Sequence, residues 1–95
     1  MMDYDQFVAS LRLDQPPTVL SEELRSLWYD GRKDWERSHE IAQDIPGING
    51  SLIHAYLHRK EGDINNAHYW YHRAGKNAPN ISLEEEWKLL VRTFL

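Results

Sequence analysis

Apolar residues recur every three to four positions in six short runs along the chain, and nowhere do they alternate as a strand would. Tyr4, Phe7, Val8 and Leu11 set a helix over Asp3–Leu13, which Pro16 and Pro17 stop by withholding amide donors. Leu20 precedes an N-cap at Ser21. Glu22 and Glu23 then occupy a positively polarised first turn, and Leu24, Leu27 and Trp28 form the stripe. That helix is expected to end near Asp30, with Gly31 taking the left-handed conformation. Asp34 caps the next, to about Asp44, with Trp35, Ser38, Ile41, Ala42 and Ile45 on one side. After Pro46-Gly47 a fourth helix begins at Asn49, Gly50 or Ser51 and runs to Glu61. The fifth spans Asp63–Ala74 after a Gly62 turn. Ser82-Leu83-Glu84-Glu85 is a capping box, and Leu83, Trp87, Leu90, Val91 and Phe94 share a face of the last helix.

The pattern therefore predicts an all-α fold of five or six short helices. Connections this short make sequential neighbours antiparallel. The chain reads as one domain. Residues 1–20 form an N-terminal helix and Pro linker, 21–46 a first helix pair, 47–79 a second pair, and 80–95 a capping helix.

The two helix pairs share a layout: helix, tight turn ending in Asp, helix. In the second, Ala55 and then Gly62-Asp63-Ile64, Ala67, Tyr71, Ala74 and Pro79 fall at the positions of the tetratricopeptide-repeat consensus. The first pair is a more degenerate match, keeping Trp35 but placing Ser38 where Ala is expected and Pro46 early. The chain thus resembles about two tetratricopeptide repeats over Ser21–Pro79, closed by N- and C-terminal capping helices. The string HAYLHRKEGD also resembles a family of small uncharacterised bacterial proteins. The repeat resemblance implies a compact α-α superhelix fragment in which small alanines let two helices nest with Tyr71 between them. It implies a scaffold or protein-interaction role and no particular chemistry.

Composition narrows the field further. With 95 residues the core is small, so the four Trp, five Tyr and two Phe supply much of it. The net charge of −4 and the absence of a free basic cluster argue against nucleic-acid binding. No apolar run is long enough to span a bilayer, and acids sit in MMDYDQFVAS where a signal peptide would be basic, so a cytoplasmic location is expected. Without cysteine there is no thiolate chemistry. His39-Glu40 lacks the second histidine of a zinc-protease motif, and no nucleophile elbow or phosphate loop is present, which points away from an enzyme.

Four of the five histidines lie on the second pair: His54 and His58 four apart on one helix, His68 and His72 four apart on the next. Folded about Gly62-Asp63, the hairpin brings these pairs to similar heights. The four are a candidate site for Zn or another divalent transition metal. Against this, the repeat register turns Ala67 and Tyr71 inward and rotates His68 and His72 about 100° away. Tyr69, Trp70 and Tyr71 are consecutive and cannot all enter one core, and Trp28-Tyr29 pose the same problem. Either the capping helices cover the surplus, or Tyr29, Tyr69 and Trp70 form an aromatic patch for a protein partner or a homo-oligomer. The first functional expectation is an interaction module; the alternative is a metal- or small-ligand-binding protein built on the histidines.

Overall fold

The computed structural model describes residues 2–95, which carry six helices and no strand. These are α1 (Tyr4–Ser10), α2 (Glu22–Gly31), α3 (Trp35–Gln43), α4 (Gly47–Glu61), α5 (Ile64–Arg73) and α6 (Leu83–Phe94). The caps follow the sequence except at α4, which starts at Gly47 after Pro46, without a side-chain cap and ahead of the start expected at Asn49, Gly50 or Ser51. Ser21, Asp34, Asp63 and Ser82 each accept the amide three residues on, and Ser82 and Glu85 close a reciprocal box. Asp3 and Gln6 form a second such box at α1. An amide is the acceptor there in place of a carboxylate, so this box is less conspicuous in the sequence.

The first inter-helix turn departs from expectation. Gly31 stays helical, and Lys33 takes the positive φ, 64°. Gly31 is needed for a different reason: a Cβ there would lie 2.9 Å from both Leu11 and Trp87 side-chain carbons. Gly62, at φ 92°, is the corresponding turn residue of the second hairpin. In both turns the amide of the following Asp reaches back to a carbonyl five residues earlier, Asp34 to Tyr29 and Asp63 to His58.

Helix α2 pairs with α3, and α4 with α5. The two hairpins meet along α3 and α4, and α6 crosses α2 and α4. The main core gathers Leu27, Trp28, Ile53, Tyr56, Leu57 and Val91, with Phe7 of α1 fully buried among them. Trp28 is covered by α1, donating its indole N–H to Ser10. Trp87 donates to the Leu27 carbonyl at 3.0 Å and so fixes α6 onto α2.

A smaller core sits inside the second hairpin: Ala55, Ala67 and Tyr71, flanked by Leu52 and Trp70. This is the close alanine seam with a Tyr71 wedge that the sequence suggests. The wedge ends in chemistry. The Tyr71 hydroxyl donates to Glu86 at 2.6 Å, Arg59 donates to the same carboxylate at 2.7 Å, and Arg59 also reaches the Ile81 carbonyl. Asp30 is served likewise by the Tyr56 hydroxyl at 2.6 Å and by Lys60 at 2.9 Å. Glu86 and Asp30 are 3% and 2% exposed, so both charges depend on these donors. Burial, together with the adjoining carboxylates, raises the pKa of both phenols, which keeps each protonated and donating.

Candidate metal centre

The junction between the hairpins carries a three-histidine cluster. His39 comes from α3, and His54 and His58 come from successive turns of α4. One ring nitrogen from each lies within 4.8 Å of the others. The Nε2 atoms of His39 and His54 are 2.9 Å apart, a hydrogen bond in which one imidazole donates and the other accepts. The rings are also near neighbours: His54 and His58 stack at 4.8 Å, and His39 stands edge-on to both, at 4.6 and 5.2 Å.

Two tryptophans hold the rings. Trp35, in the first turn of α3, donates its indole N–H to the Leu57 carbonyl of α4 at 2.8 Å, which pins the start of α3 against α4. One turn later His39 stacks on Trp35, 4.9 Å away at 11°. Trp70 of α5 stacks on His54, 4.0 Å away at 15°. Three helices therefore wall the cluster, and rigid aromatic faces limit how the imidazoles can turn.

His54 and His58 are 8% and 7% exposed, while His39 is half-buried and opens the cluster to solvent. Burial, then the charges His39 and His58 would carry, drives the His54 pKa down to about 4. His39 is lowered for the same leading reason, with His58 adding to it. At neutral pH His39 and His54 are therefore neutral, the form in which imidazole offers a lone pair to a metal. On the far side, His58 Nδ1 lies 2.5 Å from Glu61 Oε2, and Asp63 joins these two in a second group of ligand atoms.

The set differs from the one expected from spacing. His54 and His58 belong to it, but His68 and His72 do not; both are exposed on α5 beside Lys76 and Asn77. Ala67 and Tyr71 take the face of α5 toward α4, and the helical pitch carries the residues next to them outward. His39 takes their place. It sits fifteen residues before His54, on a helix of the other hairpin, where pairwise spacing within one hairpin does not look. The aromatic set divides as well. Tyr29 is 8% exposed and packs edge-on to Trp28 beneath Arg37, so it is a core residue and presents no docking face. Trp70 is half-buried against His54, and only Tyr69, 53% exposed, stands on the surface.

No protein-family model, curated protein or solved structure matches this chain. No helix among the described residues is long and apolar enough to cross a membrane.

Proposed function

We propose that this protein is a small helical scaffold, similar in layout to tetratricopeptide repeats, that binds a divalent transition metal through His39, His54 and His58. The observation that carries the reading is the convergence of three imidazoles from both hairpins, with one pair already sharing a hydrogen. Three imidazole nitrogen donors suit Zn above harder ions such as Mg or Ca. Tetrahedral zinc with bonds of about 2.0–2.1 Å separates its ligand nitrogens by about 3.4 Å. The His39–His54 spacing of 2.9 Å then has to open by only about 0.5 Å as the ion displaces the shared hydrogen. A fourth position is left for water or an outside donor through the half-open side at His39.

Such an ion ties α3 to α4, and with them the two hairpins. Binding to the folded state alone raises stability by roughly 2.7 kcal/mol at a hundredfold excess over Kd. The test is a titration of metal-free protein with Zn²⁺ and Co²⁺, followed by calorimetry and thermal unfolding. The wild type should take one equivalent with micromolar or tighter affinity and unfold at a higher temperature. His39→Ala and His54→Ala should each abolish this uptake, while the double variant His68→Ala/His72→Ala should keep it. A wild-type chain indifferent to micromolar metal ends the proposal.

A further inference from the structure

The two ring nitrogens of His58 face groups of opposite character. Nδ1 lies 2.5 Å from the Glu61 carboxylate, and Nε2 lies 3.4 Å from the Asn66 side-chain nitrogen. An ionised carboxylate only accepts, and an amide NH₂ only donates. The orientation of the Asn66 amide is itself set, because its nitrogen also faces Asp63 Oδ2, an acceptor, at 3.4 Å. His58 therefore carries its hydrogen on Nδ1, and its Nε2 lone pair faces only the long Asn66 contact, which an ion at Nε2 would replace. In a metal site the ring nitrogen turned away from the ion needs such a hydrogen-bond partner, and a carboxylate also strengthens the ligand as a donor.

We infer that Glu61 is a positioning residue for this centre: by holding the Nδ1 hydrogen of His58, it selects the tautomer and ring orientation in which His58 ligates through Nε2. The inference rests on the reading of His39, His54 and His58 as metal ligands. The local fold explains the arrangement. Glu61 follows His58 by three residues in the last turn of α4, so the two side chains share a face. Asp63 completes a second group of possible ligands with His58 and Glu61. It is already engaged as the N-cap of α5, accepting the Asn66 amide, and that role continues into the Asn66 contact with His58. Glu61 thus holds the imidazole at Nδ1, while Asp63 holds the Asn66 side chain that faces Nε2.

The experiment compares wild type, Glu61→Gln and Glu61→Asp by competition titration with Zn²⁺, by Co²⁺ visible absorption, and by ¹⁵N NMR of the histidine rings without metal. In the wild type, His58 should be protonated at Nδ1. Glu61→Gln removes the charge and accepts either tautomer, because its side-chain amide both donates and accepts. It should weaken binding by about 10–100-fold, with one equivalent still bound and the Co²⁺ spectrum unchanged. Glu61→Asp should recover part of the loss. Wild-type affinity in Glu61→Gln, or an Nε2-protonated His58 in the wild type, overturns the inference. So does loss of a second metal equivalent or an altered Co²⁺ spectrum in Glu61→Gln, since either makes Glu61 a ligand. A wild type that takes no metal overturns the parent reading and this one together, whereas equal binding by wild type and Glu61→Gln overturns this one alone.

Discussion

The two hairpins solve one packing problem with different side chains. Their caps, Asp34 and Asp63, align them residue by residue. Where the second hairpin sets Ala55 against Ala67, the first sets Ser26 against Ser38, and the Ser26 hydroxyl donates to the Ser38 carbonyl at 2.8 Å. Both seams are fully buried, so close approach demands small residues, and a hydroxyl is accepted once it finds a partner. The wedge differs more. Tyr71 has Ala42 as its counterpart, so only the second hairpin inserts a ring, and only that ring reaches an acid on α6. His39 and His68 are also counterparts. His39 meets the next hairpin and enters the cluster, while His68 stays in solvent: α6 packs chiefly on α2 and α4 and meets α5 at Tyr71. Corresponding positions in the two hairpins acquire different chemistry from what is stacked beyond them.

The largest expected test of this contrast is Tyr71→Ala. It empties the seam and strips a donor from buried Glu86, and should cost about 3–5 kcal/mol in urea unfolding. Its counterpart is already alanine, so a loss below about 1 kcal/mol would mean that the second hairpin closes as the first does, without a wedge.

Next comes the pH dependence of the hairpin junction in the metal-free protein. Folding lowers the His54 pKa from about 6.5 to about 4, so between these values the unfolded chain binds more protons than the folded one. Stability should therefore be flat above pH 7 and fall as pH drops from about 6.5 toward 4. The loss from His54 is on the order of 3 kcal/mol. His39 is shifted the same way and adds to the fall. His54→Gln should flatten the slope; an unchanged slope would show that the cluster is not buried in its neutral form.

The smallest expected effect lies in the turns. Gly62→Ala forces a methyl group into left-handed backbone and should destabilise by about 1 kcal/mol. Lys33→Gly relieves the same conformation in the first hairpin and should stabilise by about 0.5 kcal/mol. Equal signs in chemical denaturation would dissolve the equivalence of the two turns.

Much of the architecture is legible in local sequence. Ser21, Asp34, Asp63 and the Ser82–Glu85 box mark helix starts by short-range hydrogen bonds, and Ala55, Ala67 and Tyr71 mark the seam by size and pitch. What is not legible depends on distant neighbours. Gly31 looks like a terminator until Leu11 and Trp87 are seen pressing on it, and the strain passes to Lys33 instead. Tyr29 looks surplus until Arg37 and the neighbouring Trp28 enclose it. For the histidines, periodicity within one hairpin groups His54 and His58 with His68 and His72, which lie exposed on α5 and apart from the cluster. Finding His39 requires knowing that α3, as well as α5 with its Trp70, borders that face of α4. The equivalence of His39 and His68 across the two turns was the available signal.

The indole of Trp87 reaches back sixty residues to the Leu27 carbonyl, and Glu86 beside it neutralises Arg59 and receives Tyr71. Each hairpin is a local affair that a short stretch of chain can nucleate, whereas this clasp closes a loop of sixty residues. Order of assembly follows from that: the hairpins can form early, but the buried ends of Tyr71 and Arg59 find their final partner only when the last helix swings in.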